Sequence, residues 1–296
     1  MSTTRYRIAN FGIEVTLPDG CDATTWLPNA EPFRVAAMAE QPILHFSVSG
    51  LSADQAARFG KAELLTEDRN DMGIVRLMRS GEELLIEQRF RSTEAMNRMA
   101  LNKVRNEAKV ALHWEAPNSQ EALSSLLRAA YAIAVIGHRA VSIHASAISY
   151  RDEAILFLGK SGTGKSTHAD LWIRHGEGAT LLNDDNPTLR FEGDRVMAYG
   201  TPWSGKRACY RAIGLPVRGV VRLSQGAINS YRKLEEAEAF MALLPSCSAL
   251  LNDEKTEDRL CDLLGEVSQR TRIGHLSCRP DEEAYLCCRE GLGYEA

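Results

Sequence analysis

Between Arg5 and about Glu115, apolar and polar residues alternate in short runs: Arg7–Leu17, Ile43–Val48, Gly73–Met78, Leu84–Phe90, Arg98–Val104 and Lys109–Trp114. Alternation with a period of two, broken by turn residues such as Ser80-Gly81, predicts antiparallel strands and hairpins. The first part of the chain therefore reads as a β-rich meander. At Ala116-Pro117-Asn118 the pattern changes, and Leu123, Leu126, Leu127, Ala130, Tyr131, Ile133 and Ala134 then recur at helical spacing. A helix is expected from Ser119 to about Ile136, with Asn118 and Glu121 spaced as a capping box.

Two strand-like runs follow, Ala140–Ser149 and Ala154–Leu158, joined by the charged turn Arg151-Asp152-Glu153. Beyond them the pattern predicts a helix from Ser166 to His175 ending at Gly176, and a strand at Ala179–Leu182 running into Asn183-Asp184-Asp185. Further strands are expected at Arg195–Tyr199, Val217–Leu223 and Ile273–Cys278, and further helices at Leu234–Leu244, Asp253–Arg270 and Asp281–Glu290. The expected organisation is a β-rich N-terminal domain over 1–117 and a mixed α/β domain over 118–296.

Composition sharpens this only modestly. An apolar share of 44% with 25% charged residues in 296 residues is that of an ordinary globular protein, and the net charge of −4 gives no sign of a polyanion-binding surface, although local basic clusters could still bind phosphate. Nucleic acid is therefore not an expected partner. No run approaches the roughly 18 consecutive apolar residues of a membrane span, and Met1–Leu17 lacks the apolar core of a signal peptide. The expectation is a cytoplasmic protein with no membrane partner. The seven cysteines show no paired CxxC spacing and are expected to be reduced and mostly buried.

The strongest chemical signal is Gly159-Lys160-Ser161-Gly162-Thr163-Gly164-Lys165-Ser166, followed by Thr167, which matches GxxxxGK[ST] without a gap. An apolar strand leads in and a helix leads out, as a P-loop requires. Successive backbone N–H groups in such a loop curl into an anion nest, and the helix adds its free N-terminal donors. Lys165 is the candidate cation for the β- and γ-phosphates, and the Ser166 hydroxyl is the candidate ligand of Mg²⁺. ATP and Mg²⁺ are thus the expected cofactors, with Lys160 either a second phosphate contact or an exposed loop lysine.

A magnesium nucleotide site also needs a carboxylate at a neighbouring strand end. Asp184 and Asp185 stand in such a position, one able to face a metal and the other an incoming hydroxyl. A solvated Asp-Asp-Asn-Pro turn is the plain alternative. His144, between Ile143 and Ala145, is on its own either a core histidine or a functional one.

Taken in order, His144-Ala-Ser-Ala147, Ile155 to Ser166 and Leu182-Asn-Asp-Asp185 resemble the catalytic domain of HPr kinase/phosphorylase, in the fold group of phosphoenolpyruvate carboxykinase. The resemblance spans about Ala140 to Phe191. It implies a P-loop domain of that type, transfer of the γ-phosphate of ATP to a serine hydroxyl, Asp184 as the base and Asp185 as a holder of Mg²⁺. His144 inherits a charge-stabilising or proton-handling role, and a homo-oligomer is implied. Thr167 stands where the family usually has Glu, and the family's second glycine-rich signature is missing. In its place Tyr199-Gly-Thr-Pro-Trp-Ser-Gly-Lys206 resembles a segment of HPr-kinase-related proteins, where Lys206 or Arg207 would bring a cation to the γ-phosphate. A plain basic loop is the alternative there, as a simple helix start is for Arg279. The acceptor would be a serine-bearing protein, a peptide or a free amino acid. Two other functions fit the same loop. One is a nonenzymatic ATP-binding switch. The other is a carboxykinase-like phosphotransferase, which would need a further transition-metal site.

Overall fold

The computed structural model describes residues 1–69, 73–248 and 254–295, and its chain divides into two compact units. The first comprises Met1–His138 with Ala249–Glu257, the second Arg139–Ser248 with Asp258–Ala296. The helix expected to open the second half thus belongs to the first unit.

In the first unit the strands are β1 (Ser2–Ile8), β2 (Phe11–Leu17), β3 (Leu44–Ser47), β4 (Glu63–Arg69), β5 (Gly73–Ser80), β6 (Glu83–Phe90), β7 (Asn97–Leu101) and β8 (Glu107–Ala111). Its helices are α1 (Ala23–Trp26), α2 (Ala53–Phe59) and α3 (Ser119–Ala134). Among the described residues the sheet order is β1-β2-β3-β8-β7-β6-β5-β4. This is not a pure meander, because β3 runs parallel to both β2 and β8. The run Arg7–Leu17 is not one strand either. It folds back at Ala9-Asn10, whose φ angles of 50° and 60° make the two-residue turn that suits the twist of a hairpin.

Strand β6 shows why alternation fails at the centre of this sheet. Leu85 lies with Met78, Ala100 and Phe59 of α2, whereas Gln88, on the opposite face, donates to Ser125 of α3 at 2.9 Å. Both faces are covered, so the strand is buried almost throughout. The apolar stripe of α3 is buried as its spacing predicts. Its expected capping box is absent, since the Asn118 carboxamide oxygen instead accepts from Ser92. The capping box lies on α2, where Ser52 and Gln55 cap each other.

The second unit contains β9 (Ala140–Ser142), β10 (Ser146–Tyr150), β11 (Glu153–Leu158), β12 (Thr180–Asn183), β13 (Thr188–Glu192), β14 (Arg195–Tyr199), β15 (Gly214–Gln225), β16 (Ser230–Leu234) and β17 (Arg272–Cys278). Its helices are α4 (Lys165–His175), α5 (Glu236–Leu243), α6 (Glu254–Arg270) and α7 (Glu282–Gly291). The start expected for α6, Asp253, lies outside the described residues. The sheet runs β12-β10-β11-β15-β14-β13-β9, with β17 also against β15 and β16 beyond it. The long strand β15 pairs with β14 through its first residues, then runs parallel to β11 on one side and β17 on the other.

Strand β11 is apolar without a break from Ala154 to Leu158 because it is interior to the sheet and covered. Ile155 and Phe157 join Trp172 of α4 and Tyr285 and Cys288 of α7 in one core cluster. Trp172 is its hub, with the rings of Tyr150, Tyr285 and Tyr294 edge-on at 5.1 to 6.1 Å. The seven cysteines are free thiols, but only Cys288 is buried and Cys261 is exposed, so they are less buried than expected. No described helix is long and apolar enough to cross a membrane.

Candidate active site

The site residues converge because three neighbouring strands end on one edge. In the order β12-β10-β11, the outer two run antiparallel to β10. The C-terminal ends of β11 and β12 therefore flank the start of β10. Ligands of open α/β sheets characteristically sit beyond such carboxyl ends. From β11 comes the glycine loop 159–164, from β12 the pair Asp184-Asp185, and from the entry to β10 come His144 and Ser146.

His144 is not within a strand, as the run Ala140–Ser149 suggested. That run breaks at Ile143–Ala145, since β9 pairs with β13 while β10 pairs with β11 and β12. Across the break the backbone donors go elsewhere. Ile143 N–H donates to Pro187 O at 3.0 Å, His144 N–H to Ser246 O at 2.6 Å and Ala145 N–H to Asp185 O at 3.1 Å. The imidazole Nδ1 of His144 lies 3.2 Å from Asp185 Oδ1, with the two side chains 45% and 20% exposed.

The loop joins β11 to α4 directly. Gly162 and Gly164 have φ of 81° and 105°, a conformation in which glycine carries no penalty, and Gly164 is the N-cap of α4. Lys165 Nζ donates to Gly159 O at 2.9 Å. Burial lowers the Lys165 pKa, and the nearby charges of Asp185 and Asp184 oppose that shift. Ser166 and Thr167 are exposed on the first turn of α4, as are Lys160 and Ser161 on the loop.

The Asp184 carboxylate accepts four hydrogen bonds. Its Oδ1 accepts from Ser146 Oγ at 2.8 Å, Ser166 Oγ at 3.1 Å and Arg207 Nη2 at 2.7 Å, and its Oδ2 accepts from Arg207 Nε at 3.0 Å. The side chain is 1% exposed. Burial pushes its pKa up, but the hydrogen bonds from Arg207, Ser146 and Ser166 outweigh it, so the carboxyl stays below its ordinary value. Arg207 also reaches Asp170, one turn beyond Ser166 on α4. Of the two basic neighbours considered from the sequence, Arg207 meets the carboxylates and Lys206 is exposed.

The loop bearing Arg207 is latched by Asn183, which is fully buried. Its Nδ2 donates to Thr201 O at 3.2 Å and Trp203 O at 3.1 Å, while its Oδ1 accepts from the N–H groups of Asp185 and Asn186 at 3.1 and 2.8 Å. Thr201 Oγ1 closes the ring on Asn186 O at 2.8 Å. Gly205 lies so near that a Cβ there would be 2.9 Å from Asp184 O. Ser146, Asp170 and Asn183 carry no role in the sequence reading. Only Asp170 has a local signal, its i,i+4 spacing from Ser166. Arg279 pairs with Asp281 and Glu283 at the start of α7, the simple helix-start role.

No family model and no curated protein matches this chain. Among solved structures it is similar to the Hpr(Ser) kinase/phosphatase from Coxiella burnetii, with 13% identity and a TM-score of 0.31, over 51% of this chain and 87% of that one.

Proposed function

We propose that this protein is an ATP-dependent phosphotransferase that moves the γ-phosphate to a hydroxyl, a serine in a protein, a peptide or a free amino acid. The observation that carries the reading is the 3.1 Å contact between the Ser166 hydroxyl, first residue after the glycine-loop lysine, and the Asp184 carboxylate at the adjacent strand end. A glycine loop offering backbone N–H groups, a lysine at its end, and a hydroxyl beside an ionised carboxylate form the donor set for a magnesium nucleotide. The motif order shared with HPr kinases supports the same reading.

On this reading the loop 159–164 and Lys165 would hold the phosphates, and Ser166 and Asp184 would hold Mg²⁺ directly or through water. Bound Mg²⁺ neutralises charge on the phosphates during transfer. The geometry favours exchanging the roles that the family resemblance implies for the two aspartates. Asp184 is engaged by Ser146, Ser166 and Arg207 and shares the candidate metal hydroxyl, which suits it to the cation. Asp185 is more open and is backed by His144, so this pair is the better candidate to receive the hydroxyl proton. Lys206, exposed on the same loop, remains a candidate for binding the acceptor or a phosphate.

The test is incubation with ATP labelled at the γ-phosphate, Mg²⁺, and free serine, serine peptides or small phosphocarrier proteins. Transfer of label to one acceptor class is expected. Asp185→Asn should lower that rate by about 10²- to 10⁴-fold with nucleotide affinity retained, whereas Asp184→Asn should lose the magnesium dependence of nucleotide binding. Tight nucleotide binding without transfer to any hydroxyl would sink the kinase reading and favour an ATP-binding switch.

A further inference from the structure

Asp184 is engaged by protein donors before any cation reaches it. Oδ1 has three and Oδ2 has the Arg207 Nε–H, so the guanidinium lies on both oxygens and a cation bound directly to this carboxylate competes with it. The donors differ in how readily they leave. Ser146 is a buried residue at the start of β10, and its hydroxyl is fixed by the strand. Ser166 is itself a candidate ligand on the same cation. Arg207 lies outside regular structure, between β14 and β15, and its side chain is 27% exposed. Its other anchors are Asp170, a solvent-exposed carboxylate, and the Ser146 hydroxyl at 3.4 Å. The backbone of Arg207 is tethered independently, through the Ser204 hydroxyl on its carbonyl oxygen. The guanidinium can thus exchange partners while the chain beneath it stays in place.

We infer that Arg207 is a displaceable counter-ion of the candidate metal site, a positioning residue that occupies Asp184 until a nucleotide-bound cation takes the carboxylate. This inference rests on the phosphotransferase reading and adds to it an order of events. A free divalent ion competes with a guanidinium that makes two hydrogen bonds to this carboxylate, so it binds poorly. A nucleotide in the glycine loop would add phosphate ligands to the cation, and the combination would displace Arg207. The released guanidinium remains tethered beside the glycine loop, where a cation favours the transferring phosphate. The site would therefore take up metal and nucleotide together.

The experiment uses Mn²⁺ as the probe on the full chain, its binding followed by the electron paramagnetic resonance of the free ion, with and without a non-hydrolysable ATP analogue. Wild-type protein should bind Mn²⁺ weakly alone and much more tightly with the analogue. Arg207→Met should bind Mn²⁺ alone about tenfold or more tightly than wild type, the factor expected on removing a charge-assisted hydrogen bond that competes for the site. Arg207→Lys should lie between the two. Asp170→Asn, which frees one guanidinium anchor but keeps Asp184 and Arg207, should shift affinity in the same direction and guards against misfolding of the first variant. Unchanged or weakened Mn²⁺ binding in both Arg207→Met and Asp170→Asn, with Asp184→Asn still abolishing it, would overturn the inference alone. Failure of wild-type protein to bind the analogue, or indifference of metal binding to Asp184→Asn, would overturn the underlying reading and the inference with it.

Discussion

His168 shows how much a single residue contributes beyond the motif that draws the eye. It follows the glycine loop by four residues, yet it faces the core. Its ring meets Phe157 edge-on at 4.8 Å, and its Nε2 accepts from Trp172 Nε1 at 3.3 Å. Burial pushes its pKa down to about 4 from the ordinary 6.5. The folded state therefore holds His168 neutral where the unfolded chain protonates it. Stability from this group is complete above pH 6.5 and is lost as pH falls toward 4, by about 3 kcal/mol over the window. Denaturant unfolding measured from pH 7.5 to 4.5 should show that decline, flattened in His168→Gln, which keeps an acceptor for Trp172 but does not titrate. An unchanged slope in the variant would remove His168 as the cause.

At the scale of elements, what the sequence reveals is what local forces decide. The β11–loop–α4 unit is legible because an apolar strand, glycines at left-handed positions and a helix start lie within about twenty residues, and each acts on its neighbours. Strands β4 and β16 escape notice for the opposite reason. Both are sheet edges whose residues are largely exposed, so no alternation marks them. The acid pair is legible as a motif, but the partners of each carboxylate are not. Ser146 and Arg207 reach Asp184 from 38 and 23 residues away, through strand pairing and the Asn183 latch. The glycine loop itself yields a sharp expectation. A methyl group at Gly164 meets no atom within 4 Å, so Gly164→Ala is opposed by backbone conformation alone, at φ 105°. The cost should be about 1–2 kcal/mol of stability, the ordinary penalty for a side chain in this region. The same strain tilts the N–H groups out of the nest, so nucleotide affinity should fall by more than the stability loss implies. Calorimetric titration of the folded variant with an ATP analogue tests this, and wild-type affinity would show that the loop's conformation is not what binds.

For the molecule as a whole, the division into two units makes a prediction about where ligand binding is felt. Every residue of the candidate site, from His144 to Arg207, belongs to the second unit. The three strand ends that carry the site are tied through β11 and β15 to the Trp172 cluster, so a ligand that steadies the edge steadies that sheet and its helices. A ligand that binds only the folded state at a hundred times its dissociation constant adds about 2.7 kcal/mol to the stability of whatever unfolds with its site. Hydrogen exchange of the backbone amides reads that increment segment by segment. With Mg²⁺ and a non-hydrolysable ATP analogue, amides of the glycine loop, of β11 and β12 and of the segment 200–207 should exchange about a hundredfold more slowly, the factor corresponding to that energy. Amides of β5, β6 and β7 in the first unit should exchange at their unliganded rates. Equal protection of both sheets would mean that the two units open as one cooperative body. Protection confined to the first unit would move the binding site away from the glycine loop altogether.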